Sequence, residues 1–289
     1  MTSVLTRPGP AGDEGPAPRT PSPRRYVMCR PEHFSVGYAI NPWMRPDLPV
    51  DRERAIAQWE ALRRAYLDLG HRVDLLDPRP GLPDMVYAAN GATVVGGVVL
   101  GARFRHPERA GEALAHREWF AAAGFARVVE PVHVNEGEGD LLVAGDVVLA
   151  GSGFRTDPRA HAEAAAVLRL PVVPLELVDP RFYHLDTAIA VLDDRPGRVA
   201  IAWYPDAFAP ASQAVLRERY PDAVVATAAD AAVLGLNAVS DGRHVVLPDT
   251  AVDLAAALAD RGFVPVPVDL SELLLGGGGP KCCTLEVRP

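Results

Sequence analysis

Cys282 follows the run Gly276-Gly277-Gly278-Gly279-Pro280-Lys281 and is itself followed by Cys283. A thiol beside a cation shifts towards thiolate, the nucleophilic form, and a flexible glycine run lets backbone and substrate approach closely. Two other runs carry the groups that such a nucleophile needs. Glu136-Gly137-Glu138-Gly139-Asp140 sets carboxylates among glycines directly before an apolar stretch, where unpaired charge is costly. Phe182-Tyr183-His184-Leu185-Asp186 puts an imidazole two residues from a carboxylate, again before an apolar stretch, and residues two apart share a face in a strand. One thiol, one imidazole and several carboxylates suit a planar cation that is also an electrophile. Carboxylates match the paired N–H groups of a guanidinium and keep it charged, so that its central carbon is easier to attack. The thiolate would add to that carbon, and His184 would protonate the departing amine and then activate water. Arg155, in Gly153-Phe154-Arg155-Thr156-Asp157, offers a two-pronged clamp for a carboxylate elsewhere on the same ligand. Each run also has a plainer reading: a glycine linker, a solvated acidic loop, a packed histidine. The chemistry requires a fold that brings all of them together.

The elements that would do so repeat. Segments beginning at Asn90, Asp140, Asp186, Asn237 and Cys282 each start on a polar or nucleophilic residue and run on as an apolar strand. Their starts recur roughly every 45 to 51 residues, a period that marks repeat and propeller architectures. In the first four a turn, a second strand and a helix follow, the helices expected over Pro107–Ala123, Pro158–Leu168, Pro210–Arg219 and Thr250–Arg261. The fifth is cut short. Tyr26–Cys29 and the helix Asp51–Leu69, with Ile56, Trp59, Leu62, Tyr66 and Leu69 on one face and Gly70 ending it, supply its missing parts. The strand His71–Leu76 follows. The expected fold is therefore α/β, a five-bladed ring of ββαβ-type units. It gathers Asn90, Asp140, Asp186 and Asn237 as ligand contacts around the nucleophile Cys282.

The 289 residues carry a net charge of −8, which disfavours nucleic acid and anionic membranes as partners and suits a small cationic substrate. Three cysteines, two of them adjacent, form no disulfide framework, so a cytoplasmic location is expected. No paired Cys-x-x-Cys spacing is present, and neither a metal nor a cofactor is expected. Residues 1–24, rich in Pro and Gly, read as a disordered tail, and residues 25–289 as one catalytic domain. No apolar run is long enough to span a bilayer. A homo-oligomer is compatible with this composition. Arg24-Arg25 and the basic residues of Arg103–Arg109 read as solvated, with Arg103 a second candidate for carboxylate binding. Cys29, Cys283 and the tryptophans read as packing, with Trp43 able to line the pocket mouth.

Taken in order, Glu136 with Asp140, His184-Leu185-Asp186 and Cys282 resemble the motifs of the pentein superfamily of guanidine-modifying enzymes. That superfamily includes arginine deiminases, dimethylargininases and amidinotransferases, and the resemblance covers about residues 25–289. It implies a five-bladed α/β propeller, Cys282 as nucleophile and His184 as general acid/base. Glu136, or Glu138 if the loop bulges, would orient the histidine or substrate, and Asp186 would bind the guanidinium. Arg155 with Thr156 is similar to the motif that holds an amino acid's carboxylate. In dimethylargininases the segment resembling Pro83-Asp84-Met85-Val86-Tyr87-Ala88-Ala89-Asn90 ends in Glu-Asp, and its last residue contacts the guanidinium. Here that residue is the neutral Asn90, with Asp84 upstream as a further substrate contact. Met28–Phe34 and Ile40-Asn41-Pro42-Trp43-Met44 resemble the bacterial arginine dihydrolase branch, which strips both terminal nitrogens from arginine and leaves ornithine, carbon dioxide and ammonia. The resemblance places Asn41 and Asn90 at that site, where an amide can both donate and accept. The expected function is cysteine-dependent hydrolysis of the guanidine of arginine to citrulline or ornithine. Dimethylargininase is the alternative, and an amidinotransferase or a non-catalytic ribosome-binding pentein are more distant ones.

Overall fold

Gly96 and Gly97, both at positive φ, form a two-residue loop between the strands Ala92–Val95 and Val98–Gly101, the connection that suits the twist of a tight hairpin. The chain then passes through a helix and returns to lay Arg127–Val129 parallel to the second strand. A parallel neighbour needs such a crossover, because a hairpin turn cannot reverse direction twice. The same order of an antiparallel pair, a helix and a parallel third strand builds every unit.

The computed structural model describes residues 19–289. Among the described residues there are five sheets, each of three strands, in agreement with the expected ring of five α/β units. The second comprises Leu141–Ala144, Val147–Ser152 and Val172–Glu176, and the third Ile189–Asp193, Ala200–Trp203 and Val224–Val225. The fourth comprises Val239–Ser240, His244–Pro248 and Val264–Val268. The fifth joins the two ends of the chain. Leu285–Glu286 pairs antiparallel with Arg25–Cys29, which pairs parallel with Arg72–Leu76. Further backbone bonds from Val287 N to the Arg25 carbonyl (2.8 Å) and from Gly96 N to the Pro289 carbonyl (3.1 Å) fasten the terminus.

The first strand of each unit is its inner one, covered on both sides. All of Leu141–Ala144 is buried, which explains an unbroken apolar run rather than an alternating one. Helix Arg52–Asp68 begins where Asp51 accepts from Arg54 N at 3.0 Å, and it buries Trp59, Leu62 and Tyr66 in the core of the fifth unit. The helices of the other four units lie at Ala110–Ala122, Arg159–Leu168, Pro210–Arg219 and Val252–Asp260, within two residues of their expected ends except where Pro107–Arg109 forms a separate 3-10 turn, and single helical turns lie at Ala228–Ala231 and Ser271–Leu274.

Three expectations change. The polar residues that open the units do not begin strands. Asn90 and Asp186 lie within one-turn 3-10 helices and Asp140 caps another, and the strands start after them, so the two-residue alternation invoked for His184 and Asp186 does not apply. The tail expected over residues 1–24 lies outside the described residues as far as residue 18. Its remainder packs on the body: Ser22 N donates to the Asp241 carbonyl at 2.8 Å, and Arg24 pairs with Asp194 and Glu286. Arg24 is thus an anchoring residue and not a solvated one. No helix among the described residues is long and apolar enough to cross a membrane.

Candidate active site

The inner strands converge at their N-terminal ends, and the short turns ahead of them carry Asn90, Glu136, His184 and Asp186 inward to Cys282. All five are buried, with Cys282 only 1% exposed. The glycine run before Cys282 is not loose. It is buried and pressed against side chains: a Cβ at Gly276 would stand 2.2 Å from Tyr87 Oη. At Gly277, where φ is +90°, one would stand 2.8 Å from the Asn41 amide and 2.9 Å from Tyr183 Oη. Glycine is required here for close approach, not for mobility.

Two polar side chains address the sulfur of Cys282, and the Gly279 backbone N–H also favours its ionised form. Its S–H faces Asp186 Oδ2 at 3.4 Å, and Asn237 Nδ2 donates to it at 3.1 Å. Burial, and next the Asp186 carboxylate, push the thiol well above its ordinary range. Burial likewise lifts Asp186 to about 6, against the pull of His184 and Lys281. A cation placed beside both groups favours both ionised forms at once.

His184 Nε2 is 2.7 Å from Glu136 Oε2, and the same oxygen accepts from Arg155 Nη1 at 2.8 Å. Burial alone would raise the Glu136 carboxyl, but Arg155 and the His184 contact hold it well below the usual carboxylate range. An ionised carboxylate only accepts, so Nε2 carries a proton and donates it to Glu136. Among the described residues His184 Nδ1 has no protein partner, nor do Asp186 Oδ1, Asp84 Oδ1 and Asn90 Nδ2. Asn90 Nδ2 and the His184 ring both flank Gly139, Asp186 meets the Cys282 sulfur, and Arg109 lies between Asn90 and Asp84; open polar valences grouped in this way are expected where a polar ligand completes the hydrogen bonding.

The two glutamates have different partners. Glu138 turns away from His184 to pair with Lys281 Nζ at 2.7 Å and with Arg288, and it accepts from Glu286 N at 2.9 Å. Lys281 is therefore committed to Glu138 and to the Thr284 carbonyl (3.0 Å), and is not a free cation beside the thiol.

Several expected ligand contacts are spent within the protein. Asp140 accepts from Leu185 N (3.0 Å) and Thr156 N (3.2 Å), which uses both oxygens to tie the second unit to the third. Asn237 is saturated by Cys282, Gly279 and Asp186. Asn41 accepts from Trp43 N and Met44 N and donates to the Gly276 carbonyl. Arg155 stacks 4.8 Å from the Tyr183 ring centre and gives its second arm to the Ile40 carbonyl at 2.9 Å. The segment around Tyr38–Met44 thus covers the site, with Tyr38 Oη on Asp84 Oδ2 (2.9 Å) and Trp43 Nε1 on the Arg181 carbonyl (2.8 Å). Arg103 is remote, exposed and bonded to the Val132 carbonyl.

The basic residues of 103–109 do not behave alike. Arg109, read as solvated, is 3% exposed and grips Glu112 with Nε and Nη2 at 2.9 and 2.8 Å. Its Nη1 donates to Asn90 Oδ1 at 2.8 Å. Arginine cannot accept, so the Asn90 oxygen must face it and the Nδ2 hydrogens must face the other way. Asn90 therefore offers a donor to the site, where the sequence reading allowed either end. The one hint of Arg109's burial in the sequence is a Glu three residues ahead in a helix, a common pattern that carries little information.

No family model matches the chain. It is 61% identical over 274 residues to an N(G),N(G)-dimethylarginine dimethylaminohydrolase of Mycobacterium tuberculosis, covering 95% of this chain and 89% of that one. It is 37% identical over 269 residues to ArgZ, a bifunctional arginine dihydrolase/ornithine cyclodeaminase of Synechocystis, covering 91% of this chain and 37% of that longer protein. The N-terminal domain of ArgZ, solved as a cysteine-to-serine variant bound to substrate, matches the fold with a TM-score of 0.86 at 36% identity, over 92% of this chain and 98% of that one.

Proposed function

Since the chain belongs to the family that holds the dimethylarginine dimethylaminohydrolases and the arginine dihydrolases, we propose that it hydrolyses the guanidine group of arginine through Cys282. The observation that carries this reading is the union of a buried thiol with Asp186 and the His184–Glu136 pair. A guanidinium drawn to Asp186 and Asp84 brings positive charge to the sulfur, which lowers the cost of the thiolate that burial imposes. The thiolate adds to the guanidinium carbon, and the proton that the thiol gives up passes by way of His184 Nδ1 to the nitrogen that leaves as ammonia. Water, deprotonated by the same nitrogen, then attacks the covalent thiouronium, giving citrulline and restoring the thiol. Glu136 stays ionised throughout and keeps the imidazole in the tautomer that this requires.

Asn90 favours continuation to ornithine. Its outward N–H group suits an oxygen, such as the ureido oxygen of citrulline, better than a cation. A second passage through the same steps consumes one more water, so that arginine and two waters yield ornithine, two ammonia and carbon dioxide. The second reading is dimethylarginine as substrate, supported by the 61% identical relative of that name. Incubation with arginine, dimethylarginine and citrulline, with products identified by mass spectrometry, tests both. Ornithine from arginine is expected. Citrulline that accumulates with no ornithine would remove the dihydrolase step, and turnover of dimethylarginine alone would replace the substrate.

A further inference from the structure

Asn237 opens the fourth unit at the ring position that Asp140 and Asp186 take in the second and third, and it was expected to touch the ligand. Its side chain is fully buried and has no capacity left for one. Oδ1 accepts from Gly279 N and Cys282 N, both at 3.0 Å. Nδ2 donates one hydrogen to the Asp186 carbonyl and the other to Cys282 Sγ, both at 3.1 Å. The orientation is forced. Turned over, the amide would point its hydrogens at two N–H donors and its oxygen at a carbonyl and the sulfur. The backbone adds another tie, since Lys281 N donates to the Asn237 carbonyl at 3.2 Å.

We propose that Asn237 is a catalytic residue that stabilises the Cys282 thiolate by a fixed amide hydrogen bond and makes no contact with substrate. Two polar side chains address the sulfur, and they act in opposite senses. Asp186 accepts the S–H proton and favours the thiol, whereas the Asn237 N–H favours the thiolate, and a hydrogen bond to a charged acceptor is about twice as strong as one to a neutral acceptor. When a cation occupies Asp186, the opposing contact is withdrawn and the Asn237 bond remains. The neighbouring cation cannot serve instead, because Lys281 is turned to Glu138. This also accounts for a neutral amide at a position where two other units place carboxylates. A further negative charge at the sulfur would oppose ionisation.

The inference rests on Cys282 being the nucleophile, and its test needs no substrate. The rate of Cys282 alkylation by iodoacetamide is measured between pH 7 and 9, with fragment masses separating Cys282 from Cys283. In Asn237→Ala the rate at a given pH is expected to fall about tenfold or more, the change for a thiol raised by one pH unit or more. With substrate, kcat is expected to fall while KM stays within about twofold. An unchanged alkylation rate, or a raised KM with kcat intact, overturns the proposal, the latter in favour of a substrate contact. Should Asn237→Ala fail to fold, Asn237→Asp retains the acceptor for both backbone N–H groups. It is expected to slow alkylation by at least as much, and an unslowed thiol again overturns the proposal. Turnover retained by Cys282→Ser would instead sink the cysteine mechanism, an outcome visible separately from the alkylation rates.

Discussion

The two ends of the central channel are built from neighbouring residues and behave as opposites. At the N-terminal ends of the inner strands, His184, Asp186, Asp84 and Asn90 are buried around Cys282 with polar atoms that no group among the described residues satisfies. Towards the other ends of the strands, Glu138, Lys281 and Glu286 are buried, and Arg288, Arg24 and Asp194 are half-buried beside them. There every carboxylate oxygen has a cationic partner. The space left among Arg24, Asp194, Lys281 and Arg288 is only about 30 Å³, roughly one water. Charge of both signs within hydrogen-bond distance produces a plug. Charge of mainly one sign with open valences produces a receptacle for a cation. The boundary falls between two adjacent residues: Lys281 belongs to the plug and Cys282 to the receptacle.

Substitutions can break this contrast, and their expected effects differ in size. Cys282→Ser should lower turnover by about 10⁴-fold or more with the melting temperature unchanged, since an alcohol in this setting is a far weaker nucleophile. Activity left intact in steady-state assays would move the chemistry to another residue. His184→Ala removes the proton carrier and should cost roughly 10²- to 10⁴-fold in kcat. A loss confined to KM would reduce His184 to a binding role. Asn90→Asp keeps an oxygen for Arg109 and turns the other into an acceptor, so the ratio of ornithine to citrulline formed from arginine should drop by about tenfold. An unaltered ratio by mass spectrometry would separate Asn90 from the second hydrolysis. The pH profile tests Asp186, which burial lifts to about 6. Below that value it is neutral and cannot hold a cation, so kcat/KM should decline about tenfold per pH unit on the acid side. A flat profile down to pH 5 would show that Asp186 is not the guanidinium contact. Smallest in its effect on catalysis, Glu138→Gln should leave KM and kcat within about threefold. It should cost about 3–5 kcal/mol of stability, because Lys281 and Arg288 would lose a buried partner. Denaturant unfolding measures the latter, and a catalytic loss without a stability loss would reverse the assignment of the two glutamates.

Much of this was legible in one dimension. A spacing of roughly 45 to 51 residues between polar strand openings follows from a unit of near-constant length, and so it declared the ring and the place of the fifth, split unit. Cys282, His184 and Asp186 could be read because reactive residue types ahead of apolar runs are uncommon. Arg109 and Glu112 could not, because a basic residue on a helix is solvated in most proteins and nothing local marks one that is buried. Asp140 and Asn237 were misjudged for a related reason. Ring position implies proximity to the centre, whereas capacity to bind depends on which hydrogen bonds remain open.

The sequence by itself determined the repeat, the order of elements and the residue types that reach the centre, because each depends on spacing and polarity along the chain. The tertiary structure alone decided which of Glu136 and Glu138 meets His184. Gly137 at φ +54°, where a Cβ would stand 2.7 Å from the Ala89 and Ala92 carbonyls, sits in the turn that sends one glutamate to His184 and the other to Lys281, 143 positions away. It also decided that Asn90 presents hydrogen rather than oxygen, through Arg109, and that Asn237 serves the sulfur. A side chain's chemistry is set by the partners it meets in space, and partners so distant in sequence leave no local trace.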